Sequence, residues 1–161
     1  MNIRKAIESD FEKVWQIFSE VIKTGDTYVF DPNTPKKDLK KYWFADYMKT
    51  YVIEENRQIL GTYIIKPNQI DLGNHIANCS YMVNPKTQGK GIGKKLCEHS
   101  LEIARKNNFK AIQFNIVVST NKGAVELWEK YGFKIIGITP NGFRHSTLGL
   151  VDTYIMYKKL N

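Results

Sequence analysis

The chain has 161 residues, 42% of them hydrophobic and 12% aromatic, enough to bury one sizeable core. Its 24 Lys and Arg against 16 Asp and Glu give a formal charge of +8, which suits a ligand bearing several phosphates or a solvated basic surface. No segment approaches the ~20 apolar residues of a membrane span, no signal-peptide pattern opens the chain, and no repeat or linker divides it. One cytoplasmic domain over residues 1–161, without a membrane partner, is expected.

In chain order, Ile3 to Ile7 reads as a strand. Ser9-Asp10-Phe11-Glu12 reads as a capping box, and Phe11, Val14, Trp15, Phe18, Val21 and Ile22 then form an apolar helical stripe ended by Gly25. Asp26 to Pro35 is a loop carrying Tyr28 and Phe30, followed by a helix from about Thr34 to Tyr47. Tyr51 to Glu55 and Ile59 to Lys66 pair as a hairpin around Asn56-Arg57. Ile76 to Val83 is a strand that leads through Pro85 into a glycine-rich turn and a helix reaching about Lys106. Ala111 to Val118 is a strand, Asn121 caps a further helix, and strands at Lys134 to Thr139 and Val151 to Leu160 flank a loop from Pro140 to Leu150. The order is β-α-α-β-β-β-α-β-α-β-β, an α/β arrangement with a mixed sheet.

Cys79 and Cys97 are isolated, and His75, His99 and His145 are scattered, so buried thiols and no metal site are expected. Lys36, Lys37, Lys40 and Lys41 form the densest basic cluster. No nucleic-acid motif accompanies them, so they read as a solvated face and no specific nucleic acid is expected.

The most informative segment is Gln88-Gly89-Lys90-Gly91-Ile92-Gly93-Lys94-Lys95. Three glycines in five residues allow a tight turn and close approach of backbone N–H groups to a ligand. The helix that begins there adds its unpaired amides and the positive end of its dipole, an anion site suited to a diphosphate. A dinucleotide fingerprint fails because Lys94 stands where the third glycine belongs. A Walker A loop fails because Gln88 stands where its first glycine belongs, and neither Lys95 nor Leu96 offers a hydroxyl for magnesium. Downstream, Asn121 is an N-cap, Ala124, Val125, Trp128 and Tyr131 recur at helical spacing, and Gly132 ends the helix before Phe133.

The first segment matches Q/R-x-x-G-x-G at Gln88, Gly91 and Gly93. Asn121 to Phe133 resembles N-x-x-A-x-x-L-[YW]-x-x-x-G-F. Together, in this order, they make the chain similar over nearly its whole length to the GCN5-related N-acetyltransferases (GNAT). That resemblance implies a central, mostly antiparallel mixed sheet of about seven strands flanked by helices, with a splay between the fourth and fifth strands. It implies an enzyme whose cofactor, acetyl-CoA, is held by Gln88, Gly89, Lys90, Gly91, Ile92, Gly93 and Lys94. Main-chain groups of Tyr81, Met82 and Val83 would pair with its pantetheine arm, and Asn121, Ala124 and Trp128 would line its path. A backbone N–H in that strand would stabilise the oxyanion.

Two departures from the commoner family pattern bear on mechanism. Trp128 stands where many relatives carry a tyrosine that acts as general acid, and an indole N–H does not ionise usefully. The strand Ile76 to Tyr81 lacks the glutamate that often serves as base. At neutral pH an α-amine with a pKa near ~8 is about a tenth free base, whereas a lysine amine near ~10.4 is roughly one part in a few thousand. The acceptor expected is therefore a small amino-acid-like amine. A protein acetyltransferase and a noncatalytic coenzyme A sensor are the alternatives.

Asn115, polar on an apolar strand, is either a buried amide satisfied by backbone or a group that orients the reactants. Phe114 to Phe133, with Gly142 to His145 and Gly149 to Asp152, also resembles a subgroup that acetylates azetidine-2-carboxylate and proline analogues. An asparagine on this strand is implicated there, which implies a catalytic role for Asn115. Tyr28 and Phe30 from one loop, and Phe143, Arg144 and His145 from another, are the candidate acceptor-binding residues. Arg144 would clamp a carboxylate or stay a surface cation; His145 would relay a proton or cap its loop. The final strand offers an edge for a homodimer.

Overall fold

The computed structural model describes Met1 to Asn161. Seven strands form one sheet in the order β1-β2-β3-β4-β5-β7-β6, where β1 is Asn2–Lys5, β2 Lys49–Glu55, β3 Gln58–Pro67, β4 Ile76–Val83, β5 Ala111–Val118, β6 Lys134–His145 and β7 Gly149–Lys159. Every neighbouring pair is antiparallel except β4 and β5. This is the expected GNAT architecture, with the same order of elements. Helices α1 (Phe11–Ile22) and α2 (Leu39–Trp43) lie on one face, α3 (Ile92–Lys106) and α4 (Lys122–Lys130) on the other.

The apolar stripe of α1 buries Val14, Ile17, Phe18 and Ile22 against Val52, Ile64 and Met82 of the sheet. Phe18 meets Trp43 of α2 edge-on at 5.8 Å. The opposite cluster joins Leu96, Cys97 and Leu101 of α3 and Trp128 of α4 to Tyr63, Tyr81, Ile112 and Phe114. Gly61 of β3 lets α3 approach closely: a Cβ there would lie 3.1 Å from Ile92 Cγ2 and 3.0 Å from Met82 O. The β2–β3 hairpin turns on Asn56 and Arg57, both at positive φ (50° and 64°), as a two-residue turn requires.

Four local expectations change. The helix expected over Thr34 to Tyr47 is a 3-10 turn, Lys36–Asp38, followed by the five-residue α2, because Trp43 is anchored by its indole N–H on Thr62 Oγ1 at 3.0 Å and the chain turns there. The capping box at Ser9 does not form. Asp10 instead accepts the Ile7 N–H at 2.8 Å and is gripped by both Arg4 Nη atoms at 2.7 and 3.0 Å. That turn also ends β1 at Lys5, before Ile7. Last, the loop expected over Pro140 to Leu150 is mostly strand: β6 runs on to His145 through a bulge between Thr139 and Phe143.

Cys79 and Cys97 are buried free thiols, and burial pushes each up to about 12. No helix is long and apolar enough to cross a membrane.

Candidate active site

The site begins where a strand pair stops. β4 and β5 share ladder contacts only at Ile76 with Ala111 and Ala77 with Ile112. One residue on, Asn78 Nδ2 donates to the Gln113 C=O at 3.0 Å, and beyond that clip the strands part. β4 stays paired with β3 as far as Val83, and β5 with β7 as far as Val118. The Ile76 C=O and Asn84 N–H bond toward the β3 side, to Asn68 N–H and Leu60 C=O, each at 2.8 Å. Antiparallel alternation then turns the N–H and C=O of Cys79, Tyr81 and Val83 into the gap.

A cleft of about 430 Å³ fills the gap. Tyr81 and Val83 of β4, Phe114 and Val117 of β5, and Ala124 and Trp128 of α4 are among its walls, with Pro85, Gln88 and Asn121 beside them. Trp128 lies 4.8 Å from both the Tyr81 and Phe114 rings, an aromatic wall that is 8% exposed.

Next to this cleft, the turn before α3 is a cradle of main-chain donors. Gly89 and Gly91 adopt φ of +81° and +70°, and a Cβ on either would meet no protein atom within 4 Å. None of the residues Gly89 to Lys94 donates its N–H to another backbone group, the first bond of the helix being Lys95 N–H to Gly91 C=O at 3.1 Å. Lys90, Lys94 and Lys95 are exposed around it. Left-handed glycines, free amides, a helix N-terminus and lysines together fit a diphosphate.

The profile of the acetyltransferase (GNAT) family matches residues 11–133. The chain belongs to the GNAT family. It is 30% identical over 151 residues to the N-acetyltransferase aca1 of Schizosaccharomyces pombe, covering 83% of this chain and 72% of that one. It superimposes on a GCN5-related N-acetyltransferase from Kribbella flavida with a TM-score of 0.94 and 34% identity, over 99% of this chain and 97% of that one. It shares its fold with a phosphinothricin acetyltransferase from Sinorhizobium meliloti in complex with acetyl-CoA (TM-score 0.88, 17% identity, 99% and 88% covered). This GNAT member is thus an acetyl-CoA-dependent N-acetyltransferase, and the glycine cradle is of the kind its cofactor needs.

Not all the residues singled out in the sequence reach the cleft. Tyr28, Tyr81, Val83, Gln88, Asn121, Ala124 and Trp128 line it. Asn121 also caps α4, accepting the Ala124 N–H at 3.4 Å. Met82 lines it too, but the alternation directs its main chain to β3 and its side chain is buried in the α1–α2 cluster. Ile92 contributes an N–H to the cradle while its side chain is buried under α3.

Asn115 points away from the cleft: it is exposed, donates to Asn68 Oδ1 at 2.7 Å and accepts from Gln113 Nε2 at 3.2 Å, because its neighbour Phe114 holds the inward face of β5. Phe30 packs against Phe18 and Tyr42, with centroids 5.0 and 4.8 Å away, within the α1–α2 cluster. Phe143 is buried in β6, and Arg144 is exposed on that strand rather than in a loop. His145 caps the β6–β7 turn, its Nδ1 accepting the Thr147 and Leu148 N–H groups at 3.1 and 3.2 Å.

In their place the fold brings Glu20, Val21, Thr24, Asp26 and Thr27 to the cleft, from the end of α1 and the loop after it. Glu20 and Asp26 are the only charged side chains lining it; no Lys, Arg or His does. Ser146 holds this loop from the tip of the β6–β7 hairpin, through its N–H to the Gly25 C=O at 2.9 Å and its Oγ to the Thr24 C=O at 2.8 Å. Sequence reading missed the acids because the contact is remote, although Val21 at the end of the α1 stripe and the Gly25-Asp26-Thr27 turn marked where the helix meets the sheet.

Proposed function

We propose that this chain transfers the acetyl group to the amine of a small, amino-acid-like acceptor by direct attack. The observation that carries the reading is the charge of the cleft, two carboxylates and no cation. An acceptor amine arrives as an ammonium ion, so Asp26 attracts it and accepts its hydrogen bonds, with Glu20, already paired with Lys23 at 3.3 Å, adding less. Asp26 is half-buried and stands in for the carboxylate that Ile76 to Tyr81 lacks; it takes the proton that frees the amine.

Acetyl-CoA supplies an activated thioester carbon. The N–H groups of Gly89 to Lys94 would hold its diphosphate, the gap-facing main chain of Cys79 and Val83 would align its pantetheine arm, and Trp128 and Phe114 would exclude water beside it. Most of the acceleration then comes from orientation. The Ser146 clamp closes the acceptor side with a tied loop, which favours a small molecule over an extended peptide.

The same charge pattern sharpens the substrate. A free carboxylate on the acceptor finds no ionic partner among the lining residues, and Arg144 lies outside them. An amide in its place removes that charge and lowers the pKa of the α-amine toward ~8, raising the free-base fraction. The test compares amino acids with their own amides at pH 7. The carboxylate of a free amino acid holds its α-amine above ~8, so the amides are expected to have kcat/KM at least about tenfold higher, each pKa unit of lowering being tenfold in free base. Equal or better use of the free acids overturns the charge argument.

A further inference from the structure

Acetyl transfer releases coenzyme A as a thiolate, which needs a proton. The donors in and around the cleft narrow quickly. The Trp128 indole does not ionise usefully. The Tyr81 phenol is committed to Ser100 Oγ at 2.7 Å, and the Tyr131 phenol donates to Glu98 at 2.7 Å outside the cleft. The hydroxyls of Ser80, Thr24 and Thr27 are much weaker acids than a phenol, and the Cys79 thiol, though it lines the cleft, is buried in the cluster under α3.

Tyr28 remains, and its placement is specific. Its Oη accepts the Tyr81 N–H at 3.0 Å and donates to the Tyr81 C=O. These are the main-chain groups that turn into the gap where β5 has parted from β4, so the phenol replaces the missing strand at one residue. Its ring stacks on Phe30 with centroids 6.2 Å apart, and its loop is tied down by Ser146.

We propose that Tyr28 is the catalytic proton donor to the departing sulfur, a role that rests on the acetyl-transfer reading above. The Tyr81 C=O holds the proton until a thiolate, a charged and stronger acceptor, competes for it. The Tyr81 N–H then stabilises the phenolate left behind. Burial raises the Tyr28 phenol above its ordinary value, which keeps the proton loaded at neutral pH. Asp26 first passes the ammonium proton to solvent; as the C–N bond forms, it takes the second amine proton, and as the C–S bond breaks, the electron pair stays on sulfur and the Tyr28 proton follows. Asp26 is left protonated and Tyr28 ionised, two residues apart in one loop, and exchange through solvent restores both. The balance is amine plus thioester to amide plus thiol.

The experiment uses Tyr28→Phe, which keeps the ring and its stacking on Phe30. kcat is expected to fall about 100-fold, with the Kd for acetyl-CoA by calorimetry within about threefold. An independent readout is the thiolate absorbance of bound coenzyme A as pH is raised. A Tyr28 donor favours the thiolate, so the thiol in the Tyr28→Phe complex should titrate about one unit higher than in the wild type, a tenfold smaller thiolate fraction. Fluorotyrosine at position 28, nearly isosteric and more acidic, should move the basic limb of the kcat profile to lower pH.

An unchanged thiol titration, or kcat within threefold of wild type, overturns the proposal. So does a lost acetyl-CoA affinity with kcat preserved, which makes Tyr28 only part of the cofactor wall. Wild-type protein that binds coenzyme A but turns over no amine defeats the acetyl-transfer reading, while the thiol titration still decides the Tyr28 contact.

Discussion

Gly91→Ala separates strain from ligand contact. Gly91 sits at φ +70° with no protein atom within 4 Å of a Cβ, so alanine meets no clash within the chain. Left-handed backbone costs an alanine about 1–2 kcal/mol, partly offset by ~0.4–1 kcal/mol from a stiffer unfolded chain. The net loss is about 1 kcal/mol, or ~2–4 °C in Tm for a domain of this size. The methyl group, however, takes up open space in the turn whose N–H groups form the cradle, where a diphosphate held there would meet it. Displacing a diphosphate from two charge-assisted hydrogen bonds, each worth roughly 1.5–3 kcal/mol, weakens coenzyme A binding by more than about 100-fold.

The control is Gly149→Ala in the β6–β7 hairpin, where φ is +75° and space is equally open. It should lose the same stability and no affinity. Circular dichroism melts and calorimetric titration of coenzyme A measure both quantities, and a pantetheine thioester without phosphates should bind both variants alike. If Gly91→Ala binds coenzyme A as tightly as Gly149→Ala does, the loop is not the diphosphate cradle.

Three further outcomes follow from the packing and charges. Trp128→Ala, which empties the space between Tyr81 and Phe114, should cost about 3–5 kcal/mol in chemical denaturation, and Trp128→Phe clearly less. Asp10 is held below the usual carboxylate range, first by its hydrogen bonds with Arg4; its stabilisation is therefore complete above the unfolded pKa near 3.8 and disappears as pH falls through the lower folded value. Asp10→Asn should remove that acid-limb dependence and cost roughly 2 kcal/mol at pH 7, discounted because the Arg4 side chain is 30% exposed; stability measured by urea unfolding from pH 2 to 7 checks both. Ser146→Ala removes the bond to the Thr24 C=O but leaves the backbone bond to Gly25, so it should raise the acceptor KM several-fold, leave the acetyl-CoA KM unchanged and cost about 1 kcal/mol in stability.

What was legible in the sequence was what local chemistry determines. β4 and β5 fall on Ile76–Val83 and Ala111–Val118, as their apolar runs indicate, and the glycine turn and the Asn121 cap lie where their spacing places them. The longer β6 was hidden because Pro140-Asn141-Gly142 reads as a break. In the fold those residues form a bulge, with Asn141 at φ +52° and its N–H on Asp152 Oδ1 at 3.0 Å, a partner eleven residues away. The acceptor side was hidden for the same kind of reason. Tyr28 reaches Tyr81 across 53 positions, and Ser146 reaches Thr24 across 122, distances over which no periodicity or motif carries information. Asn115 shows the converse error: alternation along β5 decides which side chain faces the cleft, and the bulge between Phe114 and Val117 lets Phe114 and Val117 both take the inward face.

The most direct measurement is free-thiol release from acetyl-CoA across a panel of amino acids, amino-acid amides, proline analogues, polyamines and lysine peptides. Turnover concentrated on small α-amines, with the amides ahead, is the predicted result. Turnover on lysine peptides alone contradicts the small-acceptor account, and silence across the panel with coenzyme A still bound contradicts catalysis on amines of these classes.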